Sequence, residues 1–350
     1  MFLRTLAAVI VLGLALPGAS DSQPWFRQPA PLLGVHDQAA CASNHRKGIE
    51  NTRQFAQWLG RRPDLVMDFA WWNSWSDILR SSSLLPSCWR SEGYRNLAFS
   101  VPLLPNDHVS TLEQGAAGAY DNYFLQIAQA LIANGYGHAI IRLGWEFNLP
   151  NYPWAAAKNP QAWVAYFQRV VGVMRSAPGA EFRFDWNPAV DGAYARPGHI
   201  APPLVYPGDQ FVDIIGLDVY NQWWGDPSVP PEQRWEALAH QPYGLEWHRD
   251  FAAQHGKPMS FPEWGTGTRP DGHGGGDDDY FVTQMASWIL ANNVAYHDYW
   301  DEQAPDYNAQ LSNGQFPRAG AAFRRTFGGG GEEQGWRERE RDQGDSRDEH

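Results

Sequence analysis

The segment AIIRLGWE, residues 139–146, is a short apolar run that ends in an acid. A run of this length and composition is typical of a buried β-strand, here residues 139–145. Seven more strand-like runs occur along the chain, at residues 32–36, 65–70, 97–104, 181–187, 213–220, 258–263 and 294–300. Eight strands therefore organise the chain between residues 30 and 327.

Amphipathic segments alternate with these strands. Apolar residues recur at helical spacing from Trp163 to Met174 and again from Phe124 to Leu131. After the fifth strand, prolines between residues 197 and 207 leave room for only a short helix or none. The alternation predicts a (β/α)8 TIM barrel. A doubly wound open sheet is the alternative, but no Gly-rich phosphate loop follows the first strand.

Two glutamates follow strands that lie nearly opposite one another in such a barrel. Glu146 comes directly after the fourth strand, and Glu263 ends the seventh in PMSFPEWG. Active sites of these barrels lie at the carboxyl ends of the strands. Glycoside hydrolysis needs two carboxylates there, about 5–5.5 Å apart for retention of anomeric configuration and about 6.5–9.5 Å apart for inversion. The pair therefore predicts a glycosidase.

Three sequence blocks resemble glycoside hydrolase family 26, a retaining family with catalytic glutamates on strands four and seven of a barrel. They are RLGWEFNLPNYPW (142–154), YPGDQFVDIIGLDVYNQWW (206–224) and KPMSFPEWGTGTRPDGHGGGDDDYF (257–281). The blocks come in the family's order, and the likeness extends loosely over residues 32–327.

The resemblance implies roles for five residues. Glu146 matches the general acid/base, and Glu263 matches the nucleophile. Tyr220 matches a tyrosine that hydrogen-bonds the nucleophile, and Arg142 an arginine that keeps a carboxylate ionised in the floor of the site. Trp300 matches an aromatic platform under the sugar at the cleavage point.

Two positions depart from the family pattern. Trp145 stands where the family usually has a histidine, so a ring that only donates a hydrogen bond replaces one that also accepts. Asn151 stands where the family often has an aromatic residue. The polymer could therefore be β-mannan, mixed-linkage β-glucan, β-1,3-xylan or a bacterial exopolysaccharide.

Several of the 18 tryptophans fall at predicted strand ends, where their rings could stack on sugars. His36 and Asn187, also at strand ends, could bind hydroxyls or be ordinary hydrogen-bonded residues. The predicted substrate-binding set is His36, Trp71, Trp72, Arg142, Trp145, Trp186, Asn187, Tyr220, Trp223 and Trp300.

The two ends of the chain differ from its middle. Residues 1–20 have the pattern of a secretory signal peptide, which favours a secreted or periplasmic protein with no membrane contact after cleavage. Residues 328–350 combine glycine and mixed charge, as in disordered tails. Residues 30–327 form one predicted catalytic domain. An exported chain with two cysteines permits a Cys41–Cys88 disulfide, the alternative being two buried thiols.

Charge and motif content limit the partners. A net charge of −12 argues against nucleic acid and anionic membranes, which need a basic surface. The acids at 277–279 are consecutive, which favours a helix N-terminus over a calcium loop. We therefore expect a monomer that acts on a neutral polysaccharide or oligosaccharide, with no metal and no cofactor. The sequence predicts a secreted retaining endo-β-glycanase, and a non-catalytic carbohydrate-binding or exopolysaccharide-assembly protein is the alternative.

Overall fold

The computed structural model describes residues 30–41 and 46–329. Its strands are β1 (Leu32–His36), β2 (Leu65–Phe69), β3 (Asn96–Val101), β4 (Ile140–Leu143), β5 (Arg183–Trp186), β6 (Ile214–Gly216), β7 (Val219–Tyr220), β8 (Met259–Gly265) and β9 (Val294–Trp300). The expected signal peptide and all but the first two residues of the expected tail lie outside the described residues.

Helices alternate with these strands. They are α1 (Lys47–Leu59), α2 (Trp75–Ser91), α3 (Leu112–Ala116), α4 (Asp121–Ala133), α5 (Pro160–Arg175), α6 (Pro231–His240), α7 (Leu245–Gln254), α8 (Asp279–Ala291) and α9 (Pro317–Phe327). Only a 3-10 turn, Pro202–Val205, lies between β5 and β6, as the prolines predict. Asp278 caps α8 by accepting a hydrogen bond from the Phe281 N–H, which confirms the acidic helix start.

The strands form a parallel sheet in the order β1-β9-β8-β6-β5-β4-β3-β2, with β7 also paired to β8. At the seam between β1 and β2, the Asp64 N–H donates to the Leu33 carbonyl at 2.7 Å. The sheet is thus a nearly closed barrel with helices between the strands, which confirms the predicted (β/α)8 fold. In this ring β4 and β8 lie almost opposite each other.

The sixth barrel strand is split, whereas the sequence predicts one strand over 213–220. The Leu217 N–H bonds to Ser260 in β8, but the next N–H, from Asp218, bonds to Pro188 beyond β5. This change of partner interrupts the strand between β6 and β7. It also brings Asp218 and Tyr220 toward the centre of the barrel's carboxyl end.

The barrel is packed on both sides of its sheet. A small interior layer comes from alternating strand positions, and a much larger core fills the space between strands and helices. A disulfide joins Cys41, just after β1, to Cys88 in α2, so the predicted pairing is confirmed. Among the described helices, none is long and apolar enough to cross a membrane.

Candidate active site

The backbone turns sharply where β4 ends, and this turn presents Glu146. Gly144 and Glu146 both adopt left-handed conformations, with φ of 58° and 49°. For a residue with a side chain this conformation costs of order 1–3 kcal/mol. A hydrogen bond of 2.8 Å from the Glu146 N–H to the Asn187 carbonyl holds the turn against the end of β5. The acid is therefore fixed by backbone contacts rather than carried on a free loop.

Glu263 lies near the carboxyl end of β8 and is held by two donors. The Arg142 guanidinium donates to Glu263 Oε1 at 2.8 Å, and the Tyr220 hydroxyl donates to Oε2 at 2.8 Å. Each carboxylate oxygen thus has a donor, and the bond from Arg142 joins opposite charges. Only 6% of Glu263 is exposed, so both contacts form in a largely dry site where they fix the side chain.

Arg142 is fully buried and is held by four neighbours besides Glu263. Its donors reach Asn187 Oδ1, Asp218 Oδ2 and Ser100 Oγ at 2.6–2.9 Å and contact Met67 Sδ. Although burial lowers the pKa of a guanidinium, the carboxylates of Asp218 and Glu263 raise that of Arg142. A permanent cation therefore lies in the floor of the site.

Glu146 differs from Glu263 in its electrostatic surroundings. Burial and the negative charge of Glu263 raise the pKa of Glu146 to about 7, while a hydrogen bond from Tyr152 acts in the opposite direction. The Tyr152 hydroxyl donates to Glu146 Oε2 at 2.6 Å. Two interacting carboxyl groups with different environments are the usual division between a general acid and a nucleophile.

Two more buried acids lie inside the barrel below the glutamates. Burial, and then the charge of Glu263, raise the pKa of Asp218 well above its ordinary value, and burial does the same for Asp298. Asp298 lies against Gly34, where an added Cβ would come within 2.1 Å of its carboxyl oxygen. Burial therefore disfavours the ionised form of both acids.

Aromatic rings gather on the Glu263 side of the cleft. Trp300, at the end of β9, lies 4.7 Å from the His36 ring and 6.2 Å from the Tyr220 ring, measured between centroids. Phe69 packs edge-on against Trp300 at 6.0 Å. Although burial lowers the pKa of His36, its contact with the Glu302 carboxylate at 3.5 Å raises it to about 9. The structure thus brings His36, Tyr220 and Trp300 together beside Glu263.

Other predicted tryptophans are distributed around this centre. Trp72 lies 5.9 Å from the Tyr152 ring, on the Glu146 side, and Trp145 is 96% buried beneath Tyr152 and Trp154. Trp71 packs instead under the guanidinium of Arg80 in α2. Trp223 lies on the loop after β7, where its indole donates to the Asp226 carbonyl.

Three predicted substrate contacts need correction. Arg142, Trp186 and Asn187 are all 0% exposed, so none of them can touch a sugar in this structure. Trp186 packs on the helix side of β5, 5.0 Å from the Phe147 ring and 5.7 Å from Phe251 in α7. Asn187 faces inward but is engaged with Arg142. Strand alternation explains the difference, because neighbouring residues point to opposite faces of the sheet.

The structure adds residues that the predicted set lacks. Tyr152 hydrogen-bonds Glu146, Phe69 joins the aromatic group, and Tyr307 packs against Tyr220 at 4.8 Å. Trp224 is 63% exposed beside His273, with the ring centroids 4.1 Å apart. Phe69 could have been found from its place near a predicted strand end. Nothing in the spacing of Tyr152 or Tyr307 indicates their contacts, since both lie in irregular loops.

Metal ligands were not predicted, and among residues 30–41 and 46–329 no group of three or more His, Cys, Asp or Glu side chains is arranged to hold a metal ion. The arrangement offers a proton donor of raised pKa facing a carboxylate held by a cation. These are acid–base and nucleophilic functions.

Comparison with solved structures places this geometry on a known scaffold. A modular endo-β-1,4-mannanase from Cellulomonas fimi, a member of glycoside hydrolase family 26, superposes with a TM-score of 0.59 at 16% identity, over 84% of this chain and 71% of that one. A family 26 β-mannanase from Bacteroides ovatus superposes with a TM-score of 0.55 at 15% identity, over 85% and 89% of the two chains. The chain has the family 26 fold.

Sequence comparison gives one weak similarity. The sequence matches no protein-family model. Endoglucanase H from Acetivibrio thermocellus is 23% identical over 293 residues, which are 79% of this chain. The match spans only 29% of that protein's length. The family 26 fold that the three sequence blocks imply is therefore confirmed, and the catalytic assignments rest on the geometry above.

Proposed function

We propose that this protein is a secreted retaining endo-β-glycanase that cleaves a β-mannan or β-glucan type of polysaccharide by double displacement. The observation that carries the proposal is the unequal pair of carboxyl groups, Glu146 with a pKa of about 7 and Glu263 held by Arg142 and Tyr220. Similarity in fold to mannanases, and in sequence to an endoglucanase, supports the same class of reaction.

In the first step Glu146, in its protonated form, donates a proton to the glycosidic oxygen while Glu263 attacks the anomeric carbon. The C–O bond to the leaving chain breaks as the bond to the Glu263 carboxylate forms. Arg142 and Tyr220 orient Glu263 for attack along a fixed direction. The raised pKa keeps a large share of Glu146 protonated near neutral pH, which an acid of ordinary pKa would not achieve.

In the second step Glu146 acts as a base. It removes a proton from water, the water oxygen attacks the anomeric carbon, and the ester bond to Glu263 breaks. Once Glu263 is esterified its negative charge is gone, so the pKa of Glu146 falls and the group is ionised when a base is needed. The Tyr152 hydroxyl, which donates to Glu146 Oε2, stabilises that ionised form.

Export is part of the same proposal. The signal-like residues 1–20 and the Cys41–Cys88 disulfide support an oxidising location outside the cytoplasm.

The test is hydrolysis of soluble β-mannan, mixed-linkage β-glucan, β-xylan and bacterial exopolysaccharides by wild type, Glu146→Gln and Glu263→Gln. The control is Glu236→Gln, because Glu236 lies exposed on α6 away from the two carboxyl groups. We expect one polymer to release reducing ends with wild type and the control, and with neither active-site variant. Proton NMR of the first product should show the β-anomer, since double displacement retains configuration. An α-anomer would reject retention, and binding without release would favour the non-catalytic alternative.

A further inference from the structure

A cavity of about 470 Å³ opens beside Tyr152 at the carboxyl end of the barrel. One wall is the loop after β3, residues 104–111, and the other is the loop after β4, residues 151–158. The cavity has the size of small-molecule sites in proteins, which enclose roughly 300–1,000 Å³. It is therefore large enough to take up part of a glycan chain.

Tyr152 connects this cavity to the proposed general acid, Glu146. The residue lines the cavity, and its hydroxyl donates to Glu146 Oε2 at 2.6 Å. In the proposed reaction Glu146 protonates the oxygen of the departing chain, so sugar on this side belongs to the leaving group. The rings of Trp300, His36 and Tyr220 lie on the other side of the cleft, beside Glu263. The position thus assigns the cavity to the leaving group.

The lining of the cavity is polar. Several of its polar side chains are engaged in local structure: Ser110 bonds Asp107, Thr111 caps α3, and Glu113 accepts from Asn159. Asn106 and Asn151 differ, because their side-chain amides make no hydrogen bond to any other described residue. Each amide offers two donors and one acceptor to a ligand.

Lys158 adds a fixed cationic donor. Its ammonium group donates to the carbonyls of Tyr152 and Pro153, both at 2.9 Å. An ammonium group has three N–H bonds, so one remains for a ligand. The Asn106 backbone N–H bonds the Trp72 carbonyl at 2.7 Å, which fixes the opposite wall. The Lys158 ammonium and the backbone that carries Asn106 are thus held in place before a ligand arrives.

We propose that this cavity is a leaving-group subsite that holds a neutral, hydroxyl-rich sugar through hydrogen bonds from Asn106, Asn151 and Lys158, rather than by stacking on an aromatic platform. This inference rests on the proposed function and adds the chemistry by which the departing sugar is recognised. Glu113 also lines the cavity, so the charge of Lys158 has an opposite charge nearby. That balance favours a neutral sugar over an acidic one.

The experiment compares two substrates with the same glycone: a linear β-1,4-manno-oligosaccharide and an aryl β-mannobioside, with the gluco counterparts if the polymer panel selects β-glucan. An aryl leaving group has no sugar hydroxyls for the cavity to bind. Asn151→Ala and Lys158→Met should each lower kcat/KM on the oligosaccharide about five- to tenfold, the effect of losing one hydrogen bond. The loss should appear mainly as a higher KM, because the contacts exist in the bound ground state. Rates on the aryl glycoside should stay unchanged.

Matched controls are available in the chain. Asn122→Ala changes an exposed asparagine on α4, and Lys257→Met removes a lysine that donates to the Asp209 carbonyl at 2.7 Å just before β8, at the opposite end of the barrel. Both should behave as wild type on both substrates. Unchanged oligosaccharide kinetics in the Asn151 and Lys158 variants would overturn the subsite while leaving the proposed function standing. An equal loss on both substrates would also overturn it, because the aryl group has no sugar hydroxyls to lose contact with. A loss on the oligosaccharide that falls on kcat with KM unchanged would overturn it too, since that is the effect of damage to the general acid Glu146. A wild type inactive on every substrate would reject the proposed function and the subsite together.

Discussion

The hydrogen bond between Tyr152 and Glu146 should set the basic limb of the pH–rate profile. At 2.6 Å to a carboxylate it is a short, charge-assisted bond, worth about 1.5–3 kcal/mol. It stabilises the ionised form of Glu146, so Tyr152→Phe should raise the pKa of that group from its value of about 7. Because each pH unit corresponds to about 1.4 kcal/mol, the limb should move upward by about one to two pH units.

The assay is kcat/KM on an oligosaccharide from pH 4 to 10, since a poor leaving group depends on the general acid throughout. The control is Tyr206→Phe, which removes a phenol-to-carboxylate bond of 3.0 Å to Asp209 in the loop before β6, at the other end of the barrel. The control should follow the wild-type profile. A limb that stays in place or moves downward in Tyr152→Phe would refute this assignment of Glu146 as the acid.

Three further outcomes concern stability and packing. The free energy of unfolding of Glu146→Gln should equal that of wild type at pH 4 and be higher above pH 7, by at most about 3 kcal/mol. The reason is that wild type ionises a carboxyl group whose pKa is about 7 in the folded state and 4.5 in the unfolded state; equal urea midpoints at pH 8 would contradict this. Replacing Cys41 and Cys88 together by serine should lower the free energy of unfolding by about 4 kcal/mol, since the bridge closes a loop with a sequence separation of 47; an unchanged urea midpoint would contradict a stabilising role. Trp186→Phe should lower the thermal midpoint and reduce the free energy of unfolding by about 1–3 kcal/mol, while KM stays unchanged. A raised KM with unaltered stability would show that Trp186 contacts the substrate after all.

Much of the barrel follows from local patterning. The apolar runs that predict strands lie within a few residues of those observed, because a buried parallel strand needs a continuous apolar segment of limited length. The split between β6 and β7 could not be predicted in the same way. It arises because the N–H groups of Leu217 and Asp218 bond to different segments, Ser260 in β8 and Pro188 after β5. The sequence of a strand does not specify which segments it will pair with.

The candidate site also has parts that the sequence predicts and parts that it does not. Glu146 and Glu263 could be selected from sequence because strand order places strands four and seven across the ring, and the (β/α)8 fold puts their ends at one face. The sequence also predicts the aromatic composition of the cleft. It does not show which tryptophans near strand ends face the cleft, because Trp186 and Trp300 face opposite sides of the sheet.

The amino-acid sequence was enough to predict the alternation of strands and helices and the two glutamates at strand ends. These depend on composition and on periodicity along the chain. Three features became visible only in the folded chain: Tyr152 hydrogen-bonds Glu146, Arg142 bonds Asp218 as well as Glu263, and a polar cavity adjoins the acid. These features depend on loops whose contacts join distant residues, and no local pattern specifies which side chains a loop brings together.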